Sequence, residues 1–224
     1  MGRNYYEAYD DRYRQVHEES LRWFTKLPSS VVMDVIRNFG ISKMDRILEI
    51  GCGEGRDAGC LMKTGYNVIA TDISEEAITF CRKEWPEYAA CFRVLDCVTE
   101  SMQEKFDFLY AVAVLHMLVL DEDRRGFYRF VRTHLKDSGI ALICSMGDGT
   151  QEICSDISSA FDLQERIHEE TGRILQIAGT SYRGISFETF HKELRDNQLE
   201  ILQEGFINVE PDYGKMMYVV VKKG

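Results

Sequence analysis

Residues 46–57 constrain the fold of this 224-residue chain more than any other stretch: Arg46-Ile47-Leu48-Glu49-Ile50-Gly51-Cys52-Gly53-Glu54-Gly55-Arg56-Asp57. Ile47, Leu48 and Ile50 form a short apolar run suited to a strand buried on both faces. Glycines at alternate positions then let the backbone turn sharply and let a ligand approach with no Cβ in the way. From Asp57 onward, Ala58, Leu61 and Met62 supply the apolar face of a helix whose first amides point back at the turn. A strand, a glycine loop and a helix in this order form the unit with which an open α/β sheet holds a nucleotide-like ligand at the carboxyl ends of its strands.

The spacing narrows the ligand. A dinucleotide fingerprint, G-x-G-x-x-G, would need a glycine where Arg56 stands. Glu49, two residues before the first glycine, would repel a pyrophosphate. The pattern Glu49-x-Gly51-x-Gly53-x-Gly55 instead resembles motif I of the class I S-adenosylmethionine-dependent methyltransferases, whose cofactor carries no phosphate. The resemblance implies that Gly51, Cys52, Gly53 and Gly55 cradle the cofactor and that Glu49 lies near its methionine end.

Downstream segments extend the resemblance over roughly residues 45–146. Tyr66 to Ser74 reads as a second strand ending at Asp72-Ile73, and an acid at that place accepts the hydroxyls of a ribose. Asp72 also suits a helix N-cap, a role Ser74 fills more naturally before Glu75-Glu76-Ala77. Cys91 to Asp96 reads as a third strand. In the family an acid there binds the adenine amine, and the amide of Cys97 or Val98 meets a ring nitrogen. Phe106 to His116 reads as a fourth strand, where the resemblance brings the backbone of Ala111 close to the cofactor. The chain lacks the Asn/Asp-Pro-Pro-aromatic sequence of enzymes that methylate amino groups of bases or glutamine. It also lacks the Pro-Cys pair of cytosine-C5 enzymes.

Charge restricts the acceptor. Asp and Glu number 37 against 27 Lys and Arg, a net charge of −10, and the basic residues are scattered. Such a chain is repelled by phosphate backbones, which argues for a small-molecule acceptor over nucleic acid. No run approaches the ~20 apolar residues of a membrane span, and the N-terminus reads without an apolar signal region. The seven cysteines include no C-x-x-C pair, as expected of reduced thiols in a cytoplasmic protein without a metal site. A hydrophobic content of 45% excludes a largely disordered chain.

Strands and helices alternate after Asp45, the pattern of an α/β, doubly wound, mostly parallel sheet. The resemblance makes this a Rossmann-like sheet of seven strands with an antiparallel C-terminal hairpin strand, formed here from Leu199–Val209 and Met216–Val221. The expected organisation is one domain: a helical cap over 1–40, a cofactor core over 45–146, a substrate-side insertion over 147–185, and a C-terminal helix and strand pair over 186–224. Helical spacing of Tyr6, Tyr9, Tyr13, Val16, Leu21 and Phe24 predicts a helix over 3–27, Ser29 or Ser30 opens another through Gly40, and Asp121–Leu135 reads as a further helix. Within the insertion, a helix over Ile157–Leu175 and a loop over Gly179–Gly184 are expected.

Tyr9 to Tyr13, Trp23 and the Gly55-Arg56-Asp57 of motif I resemble the tellurite-resistance and thiopurine-type small-molecule methyltransferases. In such relatives an N-terminal helix closes over the cofactor, so the resemblance nominates Tyr6, Tyr13 and Arg22 for the methionine carboxylate. Tyr9, Trp23, Tyr182 and Arg183 are candidates for the acceptor pocket. His116, near the end of the fourth strand, is the candidate general base; His168 and His191 fall in helical stretches. The expected function is in-line methyl transfer from S-adenosylmethionine to an oxygen, nitrogen or sulfur of a small molecule by a monomer or homodimer, releasing S-adenosylhomocysteine. Methylation of RNA or a protein side chain, and cofactor binding without catalysis, are the alternatives.

Overall fold

The structure, a computed structural model, describes residues 2–23, 28–168, 170–209 and 214–224. In chain order its strands are β1 (Arg46–Ile50), β2 (Asn67–Asp72), β3 (Phe92–Val94), β4 (Phe106–Ala111), β5 (Leu135–Met146), β6 (Ile153–Cys154), β7 (Leu163–Ile167), β8 (Ile174–Ala178), β9 (Arg183–Gly184), β10 (Leu199–Val209) and β11 (Gly214–Lys223). The helices are α1 (Ala8–Glu18), α2 (Ser30–Asn38), α3 (Arg56–Lys63), α4 (Glu75–Glu84), α5 (Asp121–His134) and α6 (Phe187–Asp196).

Seven strands form one sheet in the order β10-β11-β5-β4-β1-β2-β3. β1 pairs in parallel with both β2 and β4, and β4 with β5, whereas β11 runs antiparallel to β5 and to β10. The expected Rossmann-like α/β sheet of seven strands is therefore the observed one, with β11 its antiparallel member. Its central strands are buried on both faces: Ile47, Leu48, Phe108, Leu109, Leu142 and Ile143 are inaccessible or nearly so. The chain leaves β1 toward β2 and β3 on one side and returns to β4 and β5 on the other. That reversal opens a crevice above the carboxyl end of β1, where such sheets bind ligands.

Ser74 caps α4 by accepting the Ala77 N–H at 3.0 Å, and Ser186 caps α6 by accepting that of Thr189 at 3.2 Å. Among the described residues no helix is long and apolar enough to cross a membrane.

Three expectations need correction. The helix anticipated over 157–175 is instead a single 3₁₀ turn (Ile157–Ser159) followed by the β7–β8 hairpin. Thr171-Gly172 turns the chain, with Gly172 at φ +68°, and the flanking residues alternate so that Leu175 and Ile177 are buried while Ile174 is exposed. Period two thus prevails over period 3.6. His168 accordingly sits in the hairpin, where Nε2 meets the Arg22 carbonyl at 2.5 Å, and not on a helix. The N-terminal helix ends at Glu18, and residues 24–27 of the anticipated stretch, Phe24 among them, lie outside the described residues. The third correction is at the end of β4, where the strand stops at Ala111 and His116 lies on a 3₁₀ turn, Leu115–Met117.

Candidate active site

Gly51, Gly53 and Gly55 all adopt positive φ (68°, 52° and 74°), which β-carbons disfavour. A Cβ on Gly51 would overlap the Val114 side chain, and one on Gly55 would lie 2.9 Å from the Cys81 sulfur. The loop is tied to β2 by Cys52 N–H donating to the Thr71 carbonyl at 2.9 Å and Gly53 N–H donating to Asp72 Oδ2 at 2.7 Å. Ala113, across the crevice, also holds a positive φ of 60°. Strained backbone of this kind gathers at functional sites.

Between this loop, the ends of β2 and β4, and the N-terminal segment lies a cavity of about 410 Å³. Glu49, Asp72 and Asp96 line it, together with Glu54, Asp57 and Glu84. Asp72 is buried and takes the Ser74 N–H on Oδ1 at 2.9 Å as well as Gly53 on Oδ2. Burial raises its pKa, and those backbone hydrogen bonds offset part of the rise. Asp96 accepts Val98 N–H at 2.8 Å, the Thr99 hydroxyl at 2.8 Å and the Tyr6 hydroxyl at 3.2 Å. Glu49 is held by the Tyr110 hydroxyl at 3.0 Å; burial and the neighbouring Asp57 push its carboxyl well above the usual range.

Of the residues nominated from sequence, Glu49, Gly51, Cys52, Gly53, Asp72, Ile73, Asp96, Cys97, Tyr9, Tyr13 and Arg22 line this cavity. Gly55 shapes the loop from behind as the residue preceding α3. Ala111 ends β4 one residue short of the wall, which Val112, Ala113 and Val114 provide. Trp23 packs beneath the Arg12 guanidinium, 4.8 Å from its ring, and not in the wall.

His116, Tyr182 and Arg183 are not part of this cavity. His116 is buried beside Tyr182, ring centroids 5.9 Å apart, and burial together with Arg124 drives its pKa down to about 3. So weak a base is a poor proton acceptor near neutrality, which removes the argument for it as general base. Arg183 donates to the Val119 carbonyl at 2.8 Å and to Asp121 at 2.6 Å, bracing the chain after β4 from outside. The anticipated loop over Gly179–Gly184 is a loop through Tyr182, and its last two residues pair as β9 against β6.

Sequence reading missed Glu54, Met117 and Leu118, which line the cavity, and His17, which contacts Glu54. An acid placed between two loop glycines was the available signal for Glu54. The other three depend on tertiary contacts.

The chain matches the family model described as a methyltransferase domain over residues 48–143. It is 30% identical over 112 residues to the probable S-adenosyl-L-methionine-dependent methyltransferase TehB of Haemophilus influenzae, covering 49% of this chain and 39% of that one. Among solved structures, an S-adenosylmethionine-dependent methyltransferase from Clostridium acetobutylicum superposes with a TM-score of 0.65 at 16% identity, covering 99% of this chain and 100% of that one. The glycopeptide N-methyltransferase MtfA, solved with S-adenosylmethionine, gives a TM-score of 0.62 at 18% identity, covering 86% of each chain. At such identities the structures speak for the fold alone. The match covers less than half the length of the curated relatives. Fold, loop and acids together define a cofactor-binding α/β enzyme domain. Residues 48–143 match a methyltransferase domain and are similar in sequence to S-adenosylmethionine-dependent methyltransferases.

The residues present fit the family's cofactor. Each Asp72 oxygen accepts one backbone N–H, from Gly53 or Ser74, and retains a further acceptor site for a ribose hydroxyl. Ile73, Leu95 and Val98 offer apolar surface in the same wall as Asp96.

Proposed function

We propose that the chain transfers the methyl group of S-adenosylmethionine to an oxygen, nitrogen or sulfur atom of a small molecule and releases S-adenosylhomocysteine. When bound, the cofactor supplies a methyl group on a sulfonium, whose leaving thioether needs no protonation. The protein's work is to position and to exclude water, an alignment worth up to ~7–11 kcal/mol in favourable cases. Asp72 and Asp96 fix the nucleoside end, the glycine loop admits the ligand backbone, and Tyr6, Tyr9 and Tyr13 close the cavity from above.

The observation that carries this proposal is the enclosure of the cavity by N-terminal tyrosines instead of an open basic groove. A partly enclosed, largely apolar chamber suits a compact acceptor and not a polyanion. Among the described residues, those lining it include no histidine, so the acceptor presents its lone pair at working pH or loses its proton to solvent. Seven free thiols, three of them buried, support a reducing, cytoplasmic setting.

Calorimetry with S-adenosylhomocysteine tests the cofactor half, and release of that product across a panel of thiols, amines and phenols tests the acceptor half. Binding without turnover on any small molecule, combined with turnover on RNA or a protein, would overturn the acceptor class.

A further inference from the structure

The N-terminal segment is fastened over the cavity by side chains that reach three separate parts of the core. Tyr5 donates its hydroxyl to Asp123 at 2.7 Å and accepts the Val119 N–H at 2.8 Å. Asp10 accepts the Ser74 hydroxyl at 2.7 Å and the Glu76 N–H at 3.1 Å, at the start of α4. The third attachment differs in kind because it runs through a titratable ring. His17 Nδ1 lies 2.8 Å from Glu76 Oε1, and its Nε2 lies 2.9 Å from Glu54 Oε1. Glu54 belongs to the glycine loop, is only 4% exposed, lines the cavity, and also accepts the Trp23 N–H at 2.8 Å.

Both ring nitrogens of His17 therefore face carboxylates. A neutral imidazole has one N–H and would turn its lone pair toward the other acid, whereas the imidazolium donates to both. Phe80 of α4 stacks on the ring, centroids 4.6 Å apart, and Tyr13 of α1 lies tilted at 6.1 Å. The nearby cation, Arg22, stands 4.9 Å from the Phe80 centroid and is engaged by Glu84 at 2.6 Å. Among the described residues, His17 faces the two carboxylates, two aromatic rings and, beyond Phe80, the Arg22–Glu84 pair.

We propose that Glu54, His17 and Glu76 form a clasp that fastens the N-terminal cap to the cofactor loop, and that the clasp holds only while His17 is charged. Glu54 and His17 are positioning residues in this scheme. They keep Tyr9, Tyr13 and Arg22 over the cavity, so the proposal rests on that cavity being the cofactor site. Burial alone would lower the His17 pKa, but the hydrogen bonds and charges of Glu54 and Glu76 outweigh it, and the net shift is upward. A cation whose pKa is raised by folding stabilises fully below its ordinary value, and that contribution is lost as pH rises through the raised value. Cofactor affinity accordingly falls toward alkaline pH.

Calorimetric titration with S-adenosylhomocysteine from about pH 6 to about pH 9 reads this on the wild type, His17→Gln and Glu54→Gln. The wild type should lose about tenfold or more in affinity over that range, the worth of one charge-assisted hydrogen bond. His17→Gln should bind weakly at the acid end with a flatter profile. Hydrogen exchange of residues 8–18 without ligand, corrected for the intrinsic rate, gives a second measure. Protection should decline with pH in the wild type and stay low in both variants. Unchanged α1 protection across the range overturns the clasp whatever the ligand does, as does a wild-type affinity profile parallel to that of His17→Gln. Absence of S-adenosylhomocysteine binding at every pH, with pH-dependent α1 protection intact, would instead overturn the cofactor assignment and leave the clasp standing.

Discussion

Asp72 holds the glycine loop and the start of α4 through two backbone N–H groups, so its carboxylate shapes the cradle as well as lining the cavity. Asp72→Ala should weaken S-adenosylhomocysteine binding about a hundredfold, from the loss of ~2.7 kcal/mol of charge-assisted hydrogen bonding, as calorimetry would show. An affinity within about threefold of wild type would reduce Asp72 to a helix cap. Gly51 makes a second residue-scale case. At φ +68°, with the Val114 side chain where a Cβ would go, Gly51→Ala meets both backbone strain and steric overlap. The left-handed conformation alone costs about 1–2 kcal/mol, so binding should fall roughly tenfold. Adding Val114→Ala should recover the steric part and leave the backbone part, a division that a double-mutant cycle measures directly.

Two arginines hold elements in place that periodicity could not have arranged. Arg124 of α5 is 1% exposed, makes a bidentate pair with Glu193 of α6 at 2.7 Å, and donates to the Leu115 and Leu118 carbonyls. Arg124→Met would strand the Glu193 charge and those carbonyls. Loss of one partner of such a buried pair costs ~3–5 kcal/mol, so the denaturation midpoint should drop markedly, and a shift equal to that of a surface arginine would refute the role. Arg12 of α1 donates to the Ala178 and Gly179 carbonyls at 2.7–3.0 Å, docking the β7–β8 hairpin onto the cap. Arg12→Met should speed amide exchange within 163–178 by about tenfold or more while the β1–β4 core stays protected. The central strands, α5 and the Ser74 cap were legible in sequence, because each is specified by contiguous apolar runs or by a cap within one turn. The β7–β8 hairpin was not, since a stretch with Ile157, Leu163, Ile167 and Leu175 satisfies helical spacing loosely, and only burial against α1 selects the strand alternative.

At the scale of the whole molecule, the net charge of −10 and the partly enclosed cavity make one joint prediction. Single-stranded RNA should show no salt-sensitive binding and should not compete with S-adenosylhomocysteine; retention with a steep salt slope would restore the nucleic-acid alternative. The sequence by itself determined the sheet, the glycine cradle and the acids Glu49, Asp72 and Asp96, because these lie on or immediately after strands whose register the topology dictates. Tertiary structure alone decided what roofs the cradle. Tyr182 and Arg183 were expected there, yet β9 pairs with β6 and Arg183 is consumed by Val119 and Asp121. His116 was expected to be a base, yet burial, with a smaller contribution from Arg124's charge, lowers its pKa. The N-terminal segment forms the roof because His17, Asp10 and Tyr5 find partners in the glycine loop, α4 and the chain after β4. Those partners lie between 37 and 118 residues away, a separation at which no local propensity operates and only the closing of the sheet brings the groups together.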